Sequence, residues 1–368
     1  MNKGKNIDIK NIDKNFNIES DKTDGLKKYN IPCEPFDLYG VYYEDNTERF
    51  VRMPSDVADG ISPSVGVLNS NTAGGRIRFS TNSTRVCVSV EYKTLTSMPH
   101  ISMFGSSGFV LLEERGDKTV FVYSFMPNYY ANDSENKTEN GYSITKTVND
   151  GKLKNYILYF PNYNDVSELK IGLDENAFVG HGKKYNDVKP VLYYGSSITQ
   201  GGCASRADNA YQAFISKWSN TDFINLGFSG SACGEVKMAE YLASIDCSIF
   251  VCDYDYNAPN PEFLEKTHYN FYKAYRNKRK KTPIIIISNP DTDENFAQAK
   301  ERLKVIKKTY ERALKEGDKR VYFIDGKTLY GKNDRENCTV DGTHPNDLGF
   351  YNMAKRIYRV IKKIINNG

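Results

Sequence analysis

Five short, almost unbroken apolar runs in the second half of the chain alternate with stretches of helical periodicity. The runs are 190–195 (PVLYYG), 222–228 (DFINLGF), 248–255 (SIFVCDYD), 283–288 (PIIIIS) and 320–325 (RVYFID). A strand that is apolar on both faces must be covered on both, so the pattern specifies a parallel sheet between two helical layers. Helices are predicted near 210–219, 235–244, 261–279, 294–317 and 347–365. In the last two, Phe296, Ala299, Leu303, Ile306, Tyr310 and Leu314, and then Phe350, Met353, Ala354, Ile357, Ile361 and Ile364, recur at steps of three or four.

The first half reads differently. From 35 to 174, short runs rich in β-branched and aromatic residues are separated by Gly, Asn, Asp and Pro, and no helical period intervenes. Examples are 76–80 (RIRFS), 86–92 (VCVSVEY), 119–125 (TVFVYSF), 156–160 (YILYF) and 168–172 (ELKIG). Such strands at such spacing predict a β-sandwich of jelly-roll type. Residues 1–30 are Lys, Asn and Asp with scattered apolar residues, and read as a polar leader or a strap over the next domain. The expected organisation is a leader (1–30), a β-sandwich (31–182) and a three-layer α/β/α domain of flavodoxin-like type with a five-stranded parallel sheet (183–368).

Charge excludes some partners. Lys and Arg number 50 against 46 Asp and Glu, a net +4, too balanced for a dedicated nucleic-acid or membrane-surface protein. No stretch approaches the ~20 apolar residues of a membrane span. The basic start, MNKGKNIDIK, is followed by no apolar h-region, so no signal peptide is read and a cytoplasmic location is expected. Seven Cys, an odd number with no CxxC pair and no zinc spacing, read as free thiols in a reducing compartment. Neither a cofactor nor a metal is expected. The 27 Tyr offer surface for a homo-oligomer or for stacking on sugars.

In an open α/β sheet, ligands bind beyond the carboxyl ends of the strands. There the chain places Gly195-Ser196-Ser197, Gly227-Phe228-Ser229-Gly230, Asp255-Tyr256-Asn257 and Asp341-Gly342-Thr343-His344-Pro345. A serine hydroxyl becomes a nucleophile when an imidazole takes its proton. Ser197 sits at a sharp strand-to-helix turn, and His344, ahead of a proline, belongs to the loop before the last helix. Asp341, three residues earlier, can fold back to one ring nitrogen and fix the tautomer. Backbone N–H groups of Ser197 and Gly230 and the side-chain amide of Asn257 are the expected oxyanion donors. Each motif alone is ordinary, a turn or a helix cap; their convergence on one rim is what points to acyl transfer.

Other candidates read as structural. His268 lies in a helical pattern and is expected in the core or in solvent, while His100 and His181 are assigned no chemistry. Cys203, six residues past Ser197, is expected to pack. The basic run 276–281 ends a helix, where positive charge complements exposed carbonyls. Asp253, Asp255 and 291–294 lie on different loops without ligand spacing.

These blocks resemble those of the SGNH (GDSL-type) hydrolases: GSSIT, NLGFSG, the Asn of DYDYN, and DGTHP, together spanning about residues 188–368. PFDLY at 35–39 is similar to the G-x-D-L-Y signature of a β-domain that often precedes such hydrolases. The resemblance implies Ser197 as nucleophile, Asp341 and His344 as orienter and base, and Ser197, Gly230 and Asn257 as the oxyanion hole. Ser196 stands where the family has the Asp of Gly-Asp-Ser, and the third block lacks its usual Gly. The two-domain form resembles carbohydrate esterases that remove acetyl groups from plant polysaccharides such as xylan. An acetylated oligo- or polysaccharide is therefore the expected substrate. A lipase or thioesterase of the same fold, an O-acetyltransferase and a non-catalytic glycan-binding protein are the alternatives.

Overall fold

A computed structural model describes residues 12, 13, 20–126, 140–290 and 298–366. Most of the leader and residues 291–297, which hold the acidic stretch 291–294 and the expected start of one helix, lie outside the described residues.

The first domain contains strands β1 (Leu26–Ile31), β2 (Asp37–Tyr39), β3 (Tyr42–Glu44), β4 (Arg49–Val51), β5 (Arg76–Thr81) and β6 (Arg85–Tyr92). It continues with β7 (Phe109–Arg115), β8 (Lys118–Phe125), β9 (Gly141–Thr147), β10 (Lys154–Tyr159), β11 (Val166–Asp174) and β12 (Val179–His181). One antiparallel sheet has the order β1-β11-β6-β9, and the other β12-β5-β10-β7-β8 with β2 also on β5. Their inner faces share a buried core that includes Phe36, Ile77, Phe79, Val88, Leu111, Tyr156 and Ile171. Alternation explains the fit: Ile77 and Phe79 of β5 point inward, and Arg76 and Arg78 point outward.

Two features depart from the expectation. β1 begins at Leu26, inside the stretch read as leader, and pairs with β11 along its whole length. Two helices, α1 (Ser55–Ile61) and α2 (Pro63–Asn69), interrupt a region read as purely β, and a short α3 (Met103–Ser106) follows. α1 and α2 leave the sandwich and pack on the second domain, with Ala58 and Val65 in that domain's core.

The second domain contains β13 (Val191–Gly195), β14 (Phe223–Gly227), β15 (Ile249–Asp253), β16 (Ile284–Ile287) and β17 (Val321–Ile324), all parallel. Their order, β14-β13-β15-β16-β17, is that of a flavodoxin-like sheet. The helices are α4 (Ser197–Gln200), α5 (Tyr211–Ser219), α6 (Val236–Leu242), α7 (Pro261–Lys278), α8 (Ala299–Lys315) and α9 (Asp347–Asn366). Alternation assigns each strand residue to a layer. Val191, Tyr193, Ile249, Val251, Ile285 and Ile287 face α5 and α9, and Leu192, Tyr194, Phe250, Cys252, Ile284 and Ile286 face α6, α7 and α8.

The domains share core. Val110, Leu112, Ile157 and Tyr159, on the outer face of the sandwich, belong to the same buried cluster as Tyr193, Tyr211 and Phe350. Fully buried Arg76 bonds Asp222, donates to the Tyr185 hydroxyl (2.6 Å) and the Phe223 carbonyl (3.2 Å), and lies over the Phe223 ring. Arg52, also buried, donates to the Gly227 and Leu68 carbonyls at 2.5 and 2.6 Å. No helix among the described residues is long and apolar enough to cross a membrane.

Candidate active site

The carboxyl end of β13 meets α4 at once. Ser196 caps α4, its Oγ accepting the Ile198 N–H at 3.2 Å, and it is fully buried. Ser197, the first residue of α4, presents its Oγ 2.9 Å from His344 Nε2. The chain thus separates the two serines: one holds the helix and the other faces the imidazole. The Ser197 N–H is the first of its helix and has no acceptor within it.

His344 sits in the loop ahead of α9, and its Nδ1 lies 2.7 Å from Asp341 Oδ2. Asp341 Oδ1 accepts the backbone N–H of Thr343 (3.0 Å) and of His344 (2.7 Å). Partial burial raises the Asp341 carboxyl, but these hydrogen bonds and the imidazole outweigh it and hold the group at about 2. It is therefore a carboxylate at any working pH, and its bond to Nδ1–H leaves Nε2 as the acceptor toward Ser197. The relay is open to solvent, with the His344 and Asp341 side chains 21% and 36% exposed.

The other two expected oxyanion donors lie on adjoining strand ends. Gly230 has φ of 68°, a conformation that L side chains rarely adopt. Asn257 ends a short 3-10 turn after β15 and donates one amide hydrogen to the Phe228 carbonyl at 2.9 Å, leaving the second. Gly227 permits the close approach of α4, since a Cβ there would collide with the backbone nitrogen of Gln200.

Several supporting residues carry no local sequence signal. Gln200 accepts the Ser229 N–H at 2.9 Å and donates to Asn71 Oδ1 and the Asn162 carbonyl. The Tyr163 hydroxyl donates to the Ser197 carbonyl at 3.4 Å. Asn71, Asn162 and Tyr163 belong to the first domain, as does His100, whose ring centroid lies 5.5 Å from that of His344. His100, assigned no chemistry from sequence, is therefore a neighbour of the relay. The turn MPHIS (98–102) shows nothing of this, because the contact is made across domains.

His268 is buried, shares a 2.9 Å hydrogen bond with Thr309 Oγ1 and stacks on Tyr254. His181 is exposed beside Asp37, with Nδ1 to Oδ1 at 2.9 Å. Asp253 and Asp255 are buried, and burial raises both carboxyls. Cys203 is buried next to the relay with φ of 69°.

A serine, an imidazole and a carboxylate are bonded in sequence at the carboxyl edge of a 2-1-3-4-5 sheet, an arrangement of the kind that serine hydrolases use. Comparison with known proteins agrees. Residues 188–362 match the GDSL-like lipase/acylhydrolase family, and residues 28–179 match the GxDLY domain, the N-terminus of SGNH-type esterases. A protein described as a GDSL-like lipase from Bacteroides ovatus is 31% identical, with a TM-score of 0.80 over 92% of this chain and 98% of its own. The chain belongs to this family, the SGNH hydrolases, whose class is the carboxylic ester hydrolases. The fold is shared with SsfX3, a salicylyl-acyltransferase from a tetracycline biosynthetic pathway (17% identity, TM-score 0.75, 93% and 98% covered). It is shared also with an acetyl xylan esterase from Butyrivibrio proteoclasticus (14% identity, TM-score 0.56, 93% and 99% covered). A search of curated proteins finds no match.

Proposed function

We propose that the chain is a serine esterase that removes small acyl groups, acetyl foremost, from hydroxyls of oligo- or polysaccharides such as acetylated xylan. The observation that carries the reading is the pair of contacts at His344, 2.9 Å to Ser197 Oγ and 2.7 Å to Asp341 Oδ2. Ser197 Oγ attacks the ester carbonyl while His344 Nε2 takes its proton. Charge on the carbonyl oxygen is met by the N–H groups of Ser197 and Gly230 and the free amide hydrogen of Asn257. His344 returns the proton to the departing sugar hydroxyl. Water, deprotonated by the same nitrogen, then releases the acid and restores Ser197. Asp341 stays ionised throughout and steadies the imidazolium.

The solvent-facing relay favours a short acyl group on a hydrophilic alcohol. Carbohydrate esterases among the fold neighbours support the sugar as that alcohol. Acetate release from acetylated xylo-oligosaccharides by the wild type and Ser197→Ala tests the reading, with p-nitrophenyl acetate and p-nitrophenyl palmitate as companions. Release by the wild type alone, with palmitate untouched, is expected; palmitate cleavage would instead identify a lipase. The second reading, transfer of the acyl group to a hydroxyl acceptor, uses the same acyl-enzyme and is the activity in the name of one fold neighbour. Added free xylo-oligosaccharide would then receive acetyl at the expense of acetate.

A further inference from the structure

Three soft or borderline ligand groups meet beside Ser197. His100 comes from the turn before α3, Cys203 from the loop after α4, and His344 from the loop before α9, and their ligating atoms all lie within 4.8 Å of one another. No linear motif joins them, which is why their spacing in sequence gives no metal signature. Zinc-type ions hold imidazole nitrogen at ~2.0–2.1 Å and thiolate sulfur at ~2.3 Å, so tetrahedral ligand atoms stand about 3.3–3.7 Å apart. His100 is exposed, so its ring is the ligand with room to adjust to that spacing. Cys203 is fixed in place, packed with Met98, Ile101 and Tyr163.

The third ligand is already oriented. His344 Nδ1 is engaged by Asp341, which leaves Nε2, the nitrogen 2.9 Å from Ser197 Oγ, as the one open to a cation. A carboxylate behind an imidazole is the arrangement that fixes the ring and raises the basicity of metal-bound histidines. We propose that His100, Cys203 and His344 form an inhibitory site for a thiophilic divalent cation of the zinc type. The ion takes the Nε2 lone pair that would accept the Ser197 proton. On binding, the Cys203 thiol gives its proton to solvent as the sulfur–metal bond forms. Both imidazoles bind as neutral ligands, water fills the fourth position, and no electron is transferred.

Only the inhibitory half rests on the esterase reading, and the experiment keeps the two apart. The full chain is titrated with Zn²⁺ during p-nitrophenyl acetate hydrolysis, and separately with Co²⁺ while absorbance is followed with no ester present. Expected are inhibition reversed by a chelator and a thiolate-to-cobalt band that saturates at one ion per chain. His100→Ala and Cys203→Ser should each raise the half-inhibiting zinc concentration at least about tenfold relative to their own metal-free rates. Because His100 is exposed, its variant reports even if the Cys203 variant does not fold. A cobalt complex without a thiolate band, or equal zinc sensitivity in wild type and His100→Ala, would overturn the site. A saturating band with undiminished turnover would overturn its inhibitory role.

Discussion

Gln200 accepts the backbone N–H of Ser229 through its side-chain oxygen at 2.9 Å, tying the loop that carries Gly230 to the helix that carries Ser197. Its amide donates to Asn71 and to the Asn162 carbonyl in the first domain, so one buried side chain joins three segments. Gln200→Ala should lower kcat about tenfold to a hundredfold with a smaller change in KM, because it loosens the loop of the proposed oxyanion donor Gly230 and not a substrate contact. Steady-state kinetics on p-nitrophenyl acetate would show this; a pure KM effect would mean that Gln200 bears on substrate binding instead.

The neighbouring serines should separate cleanly. Ser197→Ala is expected to reduce turnover by about a thousandfold or more, since it removes the hydroxyl bonded to the imidazole. Ser196→Ala removes a helix cap, costs about 1 kcal/mol, and leaves most activity. Turnover and urea midpoints of the two variants decide the matter, and an inactive, stable Ser196→Ala would reverse the assignment.

Asn257 and Gly230 differ in kind. Asn257→Ala removes a side-chain donor and should cost about 10²–10³ in kcat. Gly230→Ala keeps the N–H and meets nothing within 4 Å, so its cost is backbone strain at φ 68°, about 1 kcal/mol, and a milder loss of rate. If the alanine at 230 proves the more damaging, oxyanion support must come chiefly from that loop's geometry.

Acid should weaken the protein partly through His268. Burial pushes this imidazole from 6.5 to about 4. Below pH 6.5 the unfolded chain takes up a proton that the folded chain refuses until about pH 4, so the associated stability is lost as pH falls through that window. The amount is about 3 kcal/mol. Asp255, raised by burial to about 6 against a hydrogen bond from Asn289 N–H and the charge of Arg302, slopes the opposite way. The comparison is therefore between wild type and His268→Gln, by urea unfolding at pH 4 and 7. The variant should lose less on acidification, and equal losses would remove His268 from the account.

The parts legible in the sequence are those whose burial is local. β13 and β15 are buried along their whole length, so both read as apolar runs. Ser197, Asp341 and His344 stand at strand and loop ends, where topology alone brings them together. β1 was hidden because Lys27, Lys28 and Asn30 are exposed on an edge strand and leave a weak pattern. α1 and α2 each turn little inward, Ala58 in one and Val65 with Asn69 in the other, too few for a period. His100 and Gln200 act through partners in the other domain, and no window of sequence contains both sides of such a contact.

The buried guanidinium of Arg76 gives a last test of architecture. Arg76→Met leaves Asp222 and the Tyr185 hydroxyl without their partner and should cost about 3 kcal/mol. Because the two domains share core, urea unfolding of the variant should remain a single transition at lower midpoint. Two resolved transitions would mean that the domains melt separately.

The outer face of the sandwich is also inner lining for the α/β layer, with Val110, Leu112, Ile157 and Tyr159 beside Tyr193 and Tyr211. The peptide between β12 and β13 is thus a covalent convenience and not the bond that keeps the halves together. A protease that clips the chain there should yield two fragments that stay mated, with His100 still beside His344.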